Sequence, residues 1–598
     1  MIRAGRAIRL EGVSPPSEDA TDFQEAAVFD GASTLVDIVR AWADAAPAHA
    51  PMHFLSTGTD ELESLSYRAL DSTARGWAAC LQERGALGER VLLLYPPGLE
   101  FAAAFFACLY AGAIAVPIPL PSRRERVDSV SRVASNCDAR FVMTTARMRE
   151  HLQRIMPRDA AVAKLEWTTT DERLPDGAED AWIEPHLSGE SLAFLQYTSG
   201  STMTPRGVMV SHGSILNNVS AIRRATGSNR ATRHVYWLPH FHDMGLIVGL
   251  LTLVVYGGTT IGMPPALFLQ RPLRWLKAIS EYGATGAGGP NFAYDMCVRR
   301  TTPEQRAELD LSRWSVAFCG AEPVRHQTLE HFAEAFAPCG FKREAFFPCY
   351  GLAEATLFVS GGGTKARPVM FRANRRSLEC RHVEVMSDAS ADGVTLVGCG
   401  IPGEGYEVRI VDPDTQVECP EDRVGEVWVS GKAVSKGYWN APEESHRVFE
   451  GQLDGAGPYL RTGDLGFLRD GELYIAGRIK DVLILSGRNV YPHDVEHVVA
   501  GCHPGIRPQG CAVFGVDLDG EERLIVQVEV AHEAAADPNA KRELVQAVRA
   551  AVVAEFDMTV YEVHVVEPGT IARTSSGKLR RFACKEQYLK AHSGTHSA

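Results

Sequence analysis

Short apolar runs alternate with helix-spaced apolar patterns along most of the chain. Runs at 91–95, 141–144, 193–197, 235–238 and 316–319 read as buried strands, because each is four or five residues long and bounded by polar or turn-forming positions. Alternation of this kind predicts layered α/β structure. After the run at 193–197 comes a polar, glycine-containing loop, then a second strand at 207–210. A helix follows, with Ile215, Val219 and Ile222 on one face. The uncharged stretch 101–121 is long enough to cross a bilayer, but Pro117, Pro119 and Pro121 break any spanning helix. It reads as a buried helix, a break at Gly112 and a short buried strand at 114–118, so no stable membrane span is expected.

Between about 360 and 393 the apolar periodicity fades into Gly, Ser and Arg, which marks a flexible loop or an insertion. Strand-like alternation returns at 406–411 and 425–430 and predicts a smaller β-rich unit. Beyond Arg478 the pattern changes again. Strands at 482–485, 511–516, 524–530 and 563–566 surround helices at 492–500 and 540–556, and Leu544, Val548, Val552 and Phe556 line one face of the second helix. The expected organisation is a loose extension at 1–30, a large domain at 31–478 and a small α+β domain at 479–598.

Composition narrows the class. The chain has 598 residues, too many for one ordinary core, and 45% hydrophobic with 23% charged residues suits a multidomain globular enzyme. A net charge of −13 without a concentrated basic stripe argues against a nucleic-acid partner. Thirteen cysteines with no C-x-x-C pair suit free thiols in a reducing cytoplasm, and the N-terminus lacks the apolar run of a signal peptide.

The candidate chemistry begins at Thr198, Ser199, Gly200, Ser201 and Thr202. Four hydroxyls surround a glycine whose bare backbone lets a phosphate approach the N–H groups. The loop lacks the Gly-Lys-Ser/Thr ending of a Walker motif, and a polar turn is the alternative reading. His240-Phe-His-Asp243 offers zinc-compatible ligand types but no third well-placed ligand.

The stretch FLQYTSGSTMTPRGVMVSH resembles the phosphate-loop signature of the adenylate-forming superfamily, with Met203 and Arg206 where many members carry Gly and Lys. Further signatures follow in order, and the resemblance runs from about Ser33 to near the chain end. Gly320, Ala321 and Glu322 resemble the adenine-side turn. Tyr350, Gly351 and Glu354 resemble the segment whose glutamate meets magnesium. Asp464 matches the ribose-binding aspartate. Arg478, Lys480 and Asp481 lie in a Gly-Arg-Ile-Lys-Asp sequence like the interdomain hinge, and Lys578 resembles the mobile catalytic lysine. The resemblance implies a large adenylate-forming domain of layered α/β subdomains plus a β-rich subdomain, and a small mobile C-terminal α+β domain. It also implies ATP and magnesium as cofactors, and His242 as a gate between substrate carboxylate and nucleotide.

Gly289, Asn291 and Phe292, the Cys-Tyr-Gly-Leu-Ala-Glu-Ala-Thr-Leu segment at 349–357 and the 360–393 insertion resemble fatty acyl-AMP ligases. That branch implies an acyl pocket at His242, Gly289, Asn291 and Phe292. It implies a fatty acid substrate and transfer to an acyl carrier protein on a separate chain, of a polyketide or peptide synthase. The glycine run at 283–289 is expected to form a bend lining the acyl channel. A fatty acyl-CoA ligase, and a non-catalytic nucleotide-binding protein, are the competing readings.

Overall fold

A computed structural model describes residues 31–592, apart from 57–61, 122–123, 158, 173, 199–204, 363–367, 387–392, 486–487, 519–520, 531–536 and 575–576. The expected extension at 1–30 therefore lies outside the described residues.

Two large sheets carry the N-terminal part. In the first, the strands run in the order Glu166–Thr169, Phe141–Thr144, Arg90–Leu94, Ile114–Pro117, Leu192–Thr198, Arg206–Ser211; only the last pair is antiparallel. These strands are apolar on both faces because helices cover both faces, as parallel sheets require. The helix Leu99–Tyr110 is buried along its length except at Glu100 in its first turn, which explains its otherwise uncharged sequence without a membrane. No helix among the described residues is long and apolar enough to cross a bilayer.

The second sheet has nine strands. At its centre Phe346–Gly351, Val316–Cys319, Gly286–Gly289, Arg233–Tyr236, Thr259–Gly262 and Met52–Leu55 run parallel, and antiparallel strands close both edges. The glycine run is thus not a bend: its last four residues form a central strand. The reason lies in the neighbours. A Cβ at Gly286 would stand 2.3 Å from the His234 ring, so His234 on the next strand fills the space that a side chain would need.

A five-stranded antiparallel unit follows, with Tyr406–Val411, Gly425–Gly431 and the long Ala456–Arg469 at its heart. The described residues of the segment around 360–393 form more regular structure than its faded periodicity suggests. Met370–Asn374 pairs with Gly393–Val397, the short helix Arg375–Glu379 follows the first strand, and Phe371 packs on the rings of Phe467 and Tyr474. Few apolar residues suffice here because the small core they join, with Leu378 and Val383, is shared with the β-rich unit.

In the C-terminal part, Ile506–Leu518, Glu521–Val530 and Glu562–Val566 form a three-stranded sheet. The helices Pro492–Cys502 and Pro538–Phe556 cover it, and Leu544, Val548, Val552 and Phe556 are buried against its valines as their spacing predicts. The insertion touches this part directly. Arg488 meets the buried Glu379 carboxylate at 2.6 Å, Asn489 donates to the Glu379 carbonyl at 2.7 Å, and Arg375 meets Glu555 at 2.6 Å.

Candidate active site

One cavity of about 2120 Å³ runs between the two large sheets, the β-rich unit and the C-terminal part. Its charged end is built from chain turns. Asp464 sits in the long Ala456–Arg469 strand beside a register shift, and its buried carboxylate is held from two sides. Arg478 on the adjacent strand donates to one oxygen at 2.6 Å, and the Tyr350 hydroxyl donates to the other at 2.8 Å. The same turn is fixed from beneath by buried Glu426, which accepts from the Gly463 N–H at 3.0 Å. The Asp464 charge raises the pKa of Arg478, which keeps the guanidinium protonated.

Glu354 lies on a 3₁₀ turn at Ala353–Ala355, where Tyr438 donates to its carboxylate at 2.8 Å and Ser435 N–H to its carbonyl at 2.8 Å. The next residue but one, Thr356, is buried at φ +68°, a conformation that costs about 1–3 kcal/mol for a side-chain-bearing residue. Its hydroxyl donates to the Ala433 carbonyl at 2.7 Å, which holds the turn in place. Ala321 takes a similar conformation, φ +72°, in the Gly320-Ala321-Glu322 turn; Ala321 and Glu322 line the cavity and Gly320 stands behind them.

His242 and Asp243 precede a wide-turned π-helix, Met244–Leu251. Asp243 accepts from the Met244 N–H at 2.7 Å and meets His242 Nδ1 at 2.5 Å, so one carboxylate both caps the helix and fixes the ring. Burial alone would raise the Asp243 pKa. The charge and hydrogen bond of His242, the Lys578 charge and the Met244 N–H reverse that and hold it at about 2. His240 does not join this group: it is buried against Phe101 at 4.1 Å between ring centroids.

Lys578 arrives on a tight hairpin in which Thr574 N–H donates to the Lys578 carbonyl at 2.8 Å and Lys578 N–H to the Thr574 hydroxyl at 3.0 Å. Gly577, at φ +85°, lies against the Phe292 ring, where an added Cβ would be 3.3 Å away. That contact seats the hairpin on the cavity wall. Burial lowers the Lys578 pKa, Asp243 draws it back up, and Arg478, Glu322 and Asp464 act on it as well.

The structure therefore brings Lys578, His242, Glu322, Tyr350, Gly351, Glu354, Asp464, Arg478, Lys480, Asp481 and Phe292 to one cavity wall. Asp481 is paired with Arg581 at 2.7 Å, and Arg581 also meets Glu496 at 2.7 Å. Gly289 and Asn291 are placed differently from the expectation. Asn291 is buried behind the wall, donating to the Pro323 carbonyl and accepting from the Arg325 N–H, both at 2.9 Å, so it ties two turns together. Gly289 faces Trp237. Ser199, Gly200, Ser201 and Thr202 lie outside the described residues; Thr198 ends the strand before them and pairs with Arg206. Arg206 is bound to Glu444 at 3.0 Å.

Away from the charged end the cavity is apolar. Ile222 and Thr226 of the helix His212–Thr226, Met244 and Val248 of the π-helix, and His234, Val316, Phe318 and Phe347 of the sheet line it. Sequence reasoning expected an acyl channel but missed these lining residues, and it missed Tyr438. Neither belongs to a contiguous motif, and the available signal was the period-two alternation of each strand, which assigns a face but not what faces it. Also unforeseen is a remote group, Glu562, His564 and His592, whose ligand atoms lie within 4.8 Å of one another.

A charged end that can grip a nucleotide, continuous with an apolar channel, is what acid activation demands, and the comparisons agree. The AMP-binding enzyme family pattern matches residues 39–439, and the Disco-interacting protein 2-like, AMP domain pattern matches 480–597. The chain belongs to the AMP-binding enzyme family. Within it, the chain falls among the fatty acyl-AMP ligases. It is 43% identical over 573 residues to the medium-chain fatty acid acyl-carrier-protein ligase JamA of Moorena producens, covering 93% of this chain and 95% of that one. It is 35% identical to the long-chain fatty acid AMP ligase FadD32 of Mycolicibacterium smegmatis, covering 94% and 95%. The solved fatty acyl-adenylate ligase of L. pneumophila, in complex with acyl adenylate and pyrophosphate, superposes with a TM-score of 0.73 at 40% identity, covering 93% of this chain and 96% of that one. The AMP-binding enzyme family is adenylate-forming, so this chain is an ATP-dependent ligase.

Proposed function

We propose that the enzyme activates a fatty acid with ATP and passes the acyl group to the phosphopantetheine thiol of a separate acyl carrier protein. The observation that carries the reading is the continuity of the apolar channel with the cluster of Lys578, Asp464 and Glu354. In the first step a carboxylate oxygen bonds to the α-phosphorus of ATP, the bond from that phosphorus to the β-phosphate oxygen breaks, and pyrophosphate leaves. Carboxylate and phosphate are both anions, so a cation placed between them stabilises the transition state more than the separated reactants. Lys578 is that cation, delivered on its hairpin.

Asp464 accepts from the ribose hydroxyls, while Arg478 and Tyr350 hold the carboxylate in place. Ala321 and Glu322 border the adenine, and the Thr198–Thr202 sequence supplies hydroxyls and N–H groups suited to phosphate oxygens. His242, fixed by Asp243, orients the substrate carboxylate. Glu354 offers a hard carboxylate oxygen, with Tyr438 steadying the group, and so fits magnesium, which binds through one or two carboxylates together with phosphate oxygens. When bound, the ion would neutralise phosphate charge.

In the second step the carrier thiolate attacks the acyl carbon and AMP leaves. Lys480 and Asp481 form the hinge about which the C-terminal part turns to admit the thiol. The contacts of Glu379 and Arg375 with that part support a restricted turn, and hence a carrier arm rather than free CoA. Purified enzyme given dodecanoic acid, MgATP and either CoA or a phosphopantetheinylated carrier protein decides the acceptor. Thioester on the carrier alone is expected; dodecanoyl-CoA as the main product overturns the carrier assignment.

A further inference from the structure

His234 is out of place in an acyl channel. It projects from the strand Arg233–Tyr236 on the cavity side, is 3% exposed, and neither ring nitrogen has a hydrogen-bond partner. A buried polar group without a partner costs about 1–3 kcal/mol, so its presence here calls for a reason. Its neighbours do not satisfy it. The ring lies over the bare backbone of Gly286, and Thr226, the other polar residue of this end, already donates to the Ile222 carbonyl at 2.8 Å and shares a 2.7 Å contact with Ser228. The Val248 carbonyl acts weakly on the ring but stands outside hydrogen-bond geometry. Burial pushes the pKa down to about 4, so the ring is neutral near pH 7 and presents one N–H donor and one lone-pair acceptor.

The register gives its depth. His234 and Val316 both pair with Gly286, and these three residues form one row across the sheet; Gly288 and Phe318, two residues on, form the next row on the same face. The strands end toward the charged site at Gly289 and Cys319, three residues beyond the His234 row, so that row lies roughly 10 Å below the strand ends at about 3.3 Å per residue. A group meeting His234 is therefore well down the acyl chain, far from the carboxylate.

We propose that the channel selects a fatty acid bearing a hydroxyl group in the distal part of its chain, with His234 as the residue that recognises it. This rests on the acid-activation reading above. A hydroxyl both donates and accepts, and matches a neutral imidazole at both of its functions; a methylene leaves both unmet. Sites that hydrogen-bond a buried substrate hydroxyl reject the analogue lacking it far more strongly than apolar pockets reject a missing methylene.

The test uses the full-length enzyme with MgATP and a set of dodecanoic acids, one unsubstituted and the others carrying a single hydroxyl at successive positions from mid-chain to the end. Acyl-AMP is quantified by mass and pyrophosphate release by a coupled assay. The wild type is expected to favour one positional isomer over dodecanoic acid by at least about 10-fold in kcat/KM. His234→Leu is expected to abolish that ratio or invert it, with His234→Gln, which keeps a donor and an acceptor, retaining part of it. ATP binding by calorimetry establishes that each variant is folded, and if His234→Leu is not, the His234→Gln and His234→Asn ratios decide. Preference for unsubstituted dodecanoic acid over every isomer overturns the proposal, as does a hydroxyl preference that survives loss of His234. With the keto acids of the same positions added to the set, a keto acid preferred over every hydroxy acid also overturns it. In all these cases dodecanoic acid is still activated; formation of no acyl-AMP from any acid would instead overturn the acid-activation reading and this proposal with it.

Discussion

At the charged end of the cavity three carboxylates are already held by the protein. Asp464 has Arg478 and Tyr350, Glu354 has Tyr438, and Asp243 has His242. At the apolar end the walls are complementary only in shape, and the single buried histidine there has no partner. The charged end is thus organised before a nucleotide arrives, which avoids reorganisation at the moment of reaction. The apolar end supplies affinity through burial and discriminates by what it leaves unsatisfied. Damage to the first should lower the rate for every acid, and damage to the second should change which acid is used.

The largest effect is expected at Lys578. Lys578→Ala should lower acyl-AMP formation by about 10²–10³-fold, the cost of removing one well-placed electrostatic stabiliser, while transfer from supplied acyl-AMP to the carrier survives. Equal loss in both half-reactions would break the assignment of this residue to the first step. Next, Asp464→Asn should raise the KM for ATP by roughly 10-fold or more across all chain lengths, since hydrogen bonds to a charged group contribute about 1.5–3 kcal/mol. A chain-length-dependent effect would contradict the separation of the two ends.

Val248→Trp should do the opposite. An overpacked channel wall costs about 1–3 kcal/mol, so kcat/KM for dodecanoic acid should fall about 10-fold while the KM for ATP stays as it was. The smallest effect is a shift in pH dependence. Burial lowers the Lys578 pKa, so its charge is lost as pH rises through a value below that of an ordinary lysine. The kcat/KM for adenylation should therefore fall on the alkaline side earlier than a free lysine would dictate, and transfer from supplied acyl-AMP should lack that limb.

The same division explains what could be read in advance. Lys578, Glu354 and Asp464 were legible because turns and strand ends place several groups of one site within a few consecutive residues. The layered α/β class and the C-terminal helix face were legible from periodicity. His234 and Tyr438 were not, since their roles follow from strand register and chain crossing rather than from neighbours in sequence. Asn291 looked like a pocket residue because it adjoins Phe292, but the first turn of the helix Asn291–Arg299 sends its amide toward Pro323 and Arg325. The segment around 360–393 concealed its fold because its small core is completed by residues distant in sequence, including Phe467 and Tyr474.

Every step above depends on a carboxylate attacking the α-phosphate of ATP in this cavity. Dodecanoic acid labelled with oxygen-18 in its carboxyl group, turned over with ATP and a phosphopantetheinylated carrier protein, tests it most directly. One labelled oxygen is predicted in the AMP released on transfer, with pyrophosphate unlabelled; label in inorganic phosphate with ADP as the nucleotide product would contradict the account.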